Sequence, residues 1–208
     1  MNYGDLKAQF LGLLKRRDIT DTQADIFIQQ AVSRTQRVLR IPPMEKSIAV
    51  VYDGTVFTNG QIPIPSDYLR LIAVTAKPPG FAEKEVKQKD LQSVLHDVPL
   101  LGRPTGFVRR GGFWQFGPTP PIGTTFRIDY YDEFPKLAAA TDTGYLTQGA
   151  QDLIVYGALS YAGDWFIDKR TDKWEGRFLA IKGEIEDQAQ SDALINAEVS
   201  PAYEFPED

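Results

Sequence analysis

Apolar positions along the chain change their period twice. Tyr3, Leu6, Phe10, Leu13 and Leu14 recur at spacings of three and four, which sets them on one face of a helix. Asn2 and Asp5 stand three apart as a loose capping pair, and Lys15-Arg16-Arg17 are expected in the last turn, where cations favour the helix dipole. Thr20-Asp21-Thr22-Gln23 reads as a capping box opening a second helix. Its apolar stripe is Ala24, Phe27, Ile28, Ala31, Thr35, Val38 and Leu39, and Pro42-Pro43 ends it because proline cannot continue the hydrogen-bond ladder.

From about residue 44 the period shortens to two. Ile48, Val50 and Tyr52 alternate with smaller residues up to the tight-turn pair Asp53-Gly54, after which Val56 is expected to resume a strand that Asn59-Gly60 breaks. Ile62-Pro63-Ile64-Pro65 must be extended, since a residue before proline avoids the helical region. Residues 69–76 read as a buried strand and 77–104 as loop with a short helical piece at 90–95. Residues 107–116 form a hairpin around Gly111-Gly112, and 126–131 another strand. This middle zone predicts an antiparallel β module.

Helical spacing then returns. Ala150, Leu153, Ile154, Gly157, Ala158, Tyr161, Ala162, Trp165 and Phe166 form a wide apolar stripe, with Gly157 and Ala158 small enough for another helix to approach closely. Thr171 is expected to cap a final helix that turns Trp174, Phe178, Ile181 and Ile185 inward. Beyond about Ala197 the pattern stops, and Pro201 and Pro206 exclude a regular helix. The expected fold is α+β: a four-helix bundle of two N-terminal and two C-terminal helices (1–43 and 146–196), an inserted antiparallel β module (44–135) and an extended C-terminal arm (197–208).

Composition narrows the function classes. The 208 residues contain no cysteine, which removes disulfides, zinc-thiolate sites and thiol nucleophiles, and a single histidine, His96, which removes histidine-rich metal sites. No apolar run approaches the ~20 residues that span a bilayer, and the N-terminus lacks a signal-peptide pattern, so a soluble protein made inside the cell is expected. Residues 184–208 hold eight acids and no Lys or Arg. With a net charge of −5 overall, residues 1–183 are therefore three charges positive. Such an acidic end either solvates the protein or meets a basic surface on a partner.

Chemistry finds little to work with. Asp129, Asp132 and Glu133 cluster at a strand end, where acids are common, with no sign of a pocket that would split their pKa values. Asp164, Asp168 and Asp172 fall four apart, but a helix break near Arg170-Thr171 spoils a common face. Gly111-Gly112 is followed by no helix to present phosphate-binding amides, and Lys15 to Arg17 is too short a run for DNA affinity. Phe113, Trp114 and Phe116 either stack on a ligand or face a core or a neighbouring subunit. No enzyme, metal or cofactor is expected.

The layout resembles the tailed-phage head-to-tail adaptor family, also called head-completion or tail-tubular connector proteins. The resemblance rests on Tyr3-Gly4-Asp5-Leu6, on Arg17-Asp18-Ile19-Thr20 leading into a helix that ends Arg37-Val38-Leu39-Arg40, and on Met44-Glu45. It continues in Ile64-Pro65-Ser66-Asp67-Tyr68-Leu69-Arg70-Leu71, similar to a Leu-Pro-x-Asp-Tyr-Leu stretch in these proteins, and in the aromatic hairpin. Phe126-Arg127-Ile128-Asp129-Tyr130-Tyr131 with Leu137, and the Ala/Tyr/Leu-rich helix at 152–166, complete it.

What the resemblance implies is a structural virion protein, made in the host cytoplasm, that forms a ring of about twelve copies beneath the portal protein. The ring extends a channel through which double-stranded DNA passes without specific binding, and a tail, nozzle or tail-completion protein attaches to it. Tyr203, Glu204, Phe205, Pro206, Glu207 and Asp208 are then the expected portal contact. Phe113, Trp114, Phe116, Pro118, Pro120 and Pro121 are the expected inter-subunit or tail-facing contact. Two alternatives are another neck or tail-completion protein that docks on the tail tube, and a monomeric carbohydrate- or ligand-binding module with a stacking site at Trp114.

Overall fold

The computed structural model describes residues 1–194. Helix α1 (Tyr3–Leu14) begins on a reciprocal cap: Asn2 Oδ1 accepts from the Asp5 N–H at 2.9 Å, and the Asp5 carboxylate accepts from the Asn2 N–H at 3.1 Å. Lys15 takes a left-handed backbone (φ 54°) and donates its N–H to Leu11 O, closing the helix. The basic cluster therefore follows α1 rather than filling its last turn. Helix α2 (Asp21–Val38) starts on the Thr20–Gln23 box and buries Ala24, Phe27, Ile28, Ala31, Val32 and Thr35. Val38 is exposed, contrary to its place in the predicted stripe, while Leu39 is buried just past the helix on extended backbone.

A 3-10 turn at Pro42–Met44 leads into β1 (Glu45–Val51), β2 (Gln61–Pro63), β3 (Tyr68–Lys77), β4 (Lys84–Glu85) and β5 (Lys87–Gln88). A short helix α3 (Leu91–Asp97) capped by Asp90 follows, then β6 (Gly106–Arg110), β7 (Phe113–Gly117) and β8 (Thr125–Asp132). These strands make two four-stranded sheets, ordered β1-β8-β3-β4 and β2-β7-β6-β5. Every pairing is antiparallel except β5 with β6. Ile128 stands opposite Ile48 on one side and Val74 on the other, and Phe126 opposite Val50 and Ala76. Phe116 of the second sheet meets Phe126 of the first with ring centroids 4.4 Å apart, so both inner faces share one core.

Two expectations fail in this region. The strand at 69–76 is not wholly buried: Val74 and Ala76 are buried, while Arg70 and Ile72 are exposed. Val56 does not resume a strand. Asp53 Oδ1 accepts from the N–H groups of Thr55, Val56 and Phe57 at 2.9, 3.0 and 3.2 Å, which curls the backbone and leaves Val56 76% exposed.

The chain divides into two compact units: Pro43–Phe134 just described, and a helical unit of Met1–Pro42 with the chain from Pro135 onward. The latter adds α4 (Tyr145–Gln148), α5 (Gln151–Trp165) and α6 (Thr171–Leu194). Helix α5 is its centre and packs against α1, α2, α4 and α6. Close approach depends on two glycines. A Cβ on Gly157 would stand 3.0 Å from the Ala31 methyl and 3.2 Å from the Phe178 ring, and one on Gly163 would stand 2.5 Å from Thr171 Oγ1. On α6, Trp174 and Phe178 are buried, but Ile181 and Ile185 are only half-buried. Trp165, placed by its spacing in the α5 stripe, is 67% exposed because the helix ends there and the chain turns at Ile167.

Candidate interaction surfaces

The aromatic hairpin is β6 and β7, joined at Gly111-Gly112 with Arg110 opposite Phe113. Trp114 and Phe116 are buried, Trp114 with Tyr68 edge-on at 5.4 Å and Phe116 between Phe107 and Phe126. Neither indole nor ring is available to a partner or a sugar, which corrects their assignment to a contact surface and removes Trp114 as a stacking site. Both faces of β7 are covered, so even Gln115 is buried and donates to Asn59 O at 2.5 Å. Phe113 remains half-exposed, at a cleft of about 310 Å³ lined also by Phe57 and Pro63.

The proline loop lies at the surface beside it. Thr119 forms a bridge with Leu101, and a cleft of about 460 Å³ opens among Tyr52, Asn59, Leu101, Pro120, Pro121 and Ile122. Pro118 and Pro121 are partly exposed while Pro120 is buried, and Leu101 and Ile122 are largely exposed. Residues 98–102 and 117–124, which supply most of this surface, carry no charge. An apolar, uncharged loop surface of this kind suits contact with protein.

Of the strand-end acids Asp132 lies in an ion-pair cluster, and no ion pair joins Asp129 or Glu133 to it among the described residues. Lys46 Nζ pairs with Asp67 and lies 4.0 Å from Asp132, and Tyr130 Oη donates to Asp67 Oδ1 at 2.9 Å. The lysine hydrogen bond holds the Asp67 carboxyl below its ordinary range, while burial pushes that of Asp132 up. Asp67 was not among the candidate acids, yet it organises the group: its carbonyl also accepts from the Glu133 N–H at 2.7 Å. The Pro65-Ser66-Asp67-Tyr68 segment thus ties β1, β3 and the end of β8 together, Asp67 through polar contacts and Tyr68 through its rings against Trp114 and Tyr130. The acids at 164, 168 and 172 do not converge. Asp168 is engaged by Arg170 Nε and Nη2 at 3.0 and 2.7 Å, which lowers its carboxyl to about 2. His96 is exposed. Among the described residues no three acids or histidines are arranged to hold a metal ion, and no helix is long and apolar enough to cross a membrane.

In the helical unit a cleft of about 250 Å³ lies between α2 and α5, lined by Gln23, Ile26, Phe27, Tyr161, Asp164 and Trp165. Ile26 is 50% exposed, and the Trp165 ring stands edge-on to Phe27 at 6.4 Å. Tyr203, Glu204, Phe205, Pro206, Glu207 and Asp208, expected from the sequence to contact the portal, lie outside the described residues.

The family model for SU10 adaptor protein matches residues 1–201. The chain belongs to this family. No curated protein matches it. Membership agrees with the head-to-tail adaptor resemblance carried by the short motifs and makes the chain a phage structural adaptor, which is not a class of enzyme.

Proposed function

We propose that this adaptor assembles as a ring of about twelve copies under the portal vertex of the phage head, where it lengthens the DNA channel and offers the tail its attachment site. The match to the adaptor family along residues 1–201 carries this reading. The helical unit is read as a four-helix bundle of α1, α2, α5 and α6 that faces the portal. The acidic arm with Tyr203, Phe205 and Pro206 as anchors, flanked by Glu204, Glu207 and Asp208, lies in a groove of the portal. An arm stiffened by proline loses less entropy on docking, and aromatic anchors carry much of an interface's energy. Phe113, Pro118 and Pro121 sit in the inter-subunit or tail-facing contact, with Pro120 buried beneath them. The partners are the portal protein, a tail or nozzle protein and further copies of the chain, with double-stranded DNA passing through the lumen unread.

Native mass measurement and negative-stain imaging of the chain, alone and mixed with the portal ring of the same genome, test this. A ring of about twelve copies seated on the portal is expected. A chain that ignores the portal but binds the tail tube would reassign it to tail completion.

A further inference from the structure

The turn that joins α5 to α6 is strained, and nothing among the described residues compensates for it. Ile167 has a left-handed backbone (φ 52°), closing α5 through the Asp168 N–H to Gly163 O at 2.8 Å and its own N–H to Asp164 O at 3.3 Å. That closing position is ordinarily glycine, because a β-branched side chain there crowds its own backbone. Ile167 is 91% exposed, so no packing offsets the strain. Two residues earlier Trp165 is 67% exposed and walls the cleft with Ile26. Three large apolar side chains are thus held in water at one corner of the helical unit.

The flank of this corner is cationic. The Arg16 guanidinium lies 4.2 Å over the Phe166 ring, and Arg170 Nη2 donates to Leu14 O at 3.0 Å, which brings the end of α1 beside the turn. Arg16 and Arg170 are paired with Asp18 and Asp168. Lys15, Arg17 and Lys169 are exposed, with no carboxylate partner among the described residues.

The distal half of α6 has the opposite character. No side chain described beyond Phe178 is buried, Leu179 is 52% exposed, and the space above Gly176 and Gly183 is open. From Gly183 onward the helix carries Glu184, Glu186, Asp187 and Asp192 and no cation, and only Glu186 has an ion-pair partner there, Lys182. A helical stretch interrupted by Gly183, with a face only half-buried at Ile181 and Ile185, supports itself poorly in water. Its acids begin thirteen residues after Thr171, about 20 Å along a helix leading away from the Ile167 corner. One chain therefore cannot bring its own two surfaces together.

We infer that the occupant of this corner is a second copy of the chain. Trp165 and Ile167 of one copy pack over Leu179 and the open Gly176–Gly183 face of the next, with Lys15, Arg17 and Lys169 set against Glu184 and Asp187. The contact joins two different surfaces, so each added copy leaves one of each free and the series closes only as a ring. It is the neighbour-to-neighbour contact of the proposed ring and rests on that reading.

Sedimentation velocity and native mass of the full chain, in low and high salt, measure it. Ile167→Gly removes the anchor and relieves the backbone, so the variant is expected to melt no lower than the parent while self-associating about tenfold more weakly or worse. Glu184→Lys with Asp187→Lys, and Arg17→Glu with Lys169→Glu, should each lose self-association, and mixing the two variants should restore pairing in low salt. An Ile167→Gly chain that assembles like the parent, a mixture that stays unpaired, or a parent that remains monomeric at high concentration would each overturn the interface. The two readings fail separately. Self-association through this corner without portal binding sinks the portal reading, whereas rings formed on the portal equally well by Ile167→Gly sink the interface alone.

Discussion

At Gly157 the absent side chain is what lets α5 touch both α2 and α6, with the Ala31 methyl and the Phe178 ring at the limit of contact for a Cβ. Gly157→Val is therefore expected to destabilise the helical unit by about 1–3 kcal/mol through overpacking. In a chain of this size that is a fall in Tm of roughly 2–4 °C per kcal/mol, read by thermal melting. Trp114 gives the complementary case. Truncation to alanine empties a core position under Tyr68 and should cost about 3–5 kcal/mol, which urea titration would show as a lowered midpoint. A small effect would mean that the indole is not buried as described. The glycine's role was legible in the sequence because a small residue within a wide apolar helical stripe has one common use. The tryptophan's was not, because period-two alternation assigns residues to faces and is silent on a strand covered on both.

At the scale of elements, the polar link Arg34–Glu175–Ser160 fastens α2, α6 and α5. Arg34 pairs with Glu175 and lies 4.1 Å over the Phe178 ring, while Ser160 donates to the same carboxylate at 2.7 Å. The arginine hydrogen bond holds the Glu175 carboxyl below its ordinary value of 4.5. A group whose folded pKa is depressed adds stability above its unfolded pKa and loses it as pH falls through the folded one. The parent's melting temperature should thus drop below about pH 4.5, and that of Glu175→Gln should drop less steeply. Equal slopes would show that the carboxylate is not engaged. The capping box at Thr20 is a second element-scale prediction: Thr20→Ala should cost about 1 kcal/mol, measured by denaturant titration. This box and the hairpin at Gly111-Gly112 follow from short-range spacing and were readable residue by residue, as was a short helix near 90–95, though not its cap at Asp90. The curl at Asp53 was not, since Asp-Gly signals a turn without saying whether a strand resumes after it.

For the whole molecule, removal of residues 199–208 is expected to abolish portal capture while leaving the melting curve of the chain unchanged. A truncated chain that attaches normally would rule out the arm as anchor. Trp165 offers a spectroscopic check on assembly, because Trp114 and Trp174 are buried and it alone of the three is open to solvent. Acrylamide should quench one tryptophan in the dispersed chain and none in the assembled one. Taken by itself, the sequence determined the α+β class, the helix starts marked by the Asn2 and Thr20 caps, and, through short motifs spread along the chain, the adaptor family. All of these are written in local spacing or in residue identity. Tertiary structure alone decided which aromatics are core and which are surface. It decided that Asp67 rather than the strand-end acids organises the polar cluster, and that Trp165 and Ile167 face water. Those outcomes depend on what stands opposite each side chain, and residues such as Asp67 and Tyr130, or Arg16 and Phe166, meet only after the chain has folded back on itself.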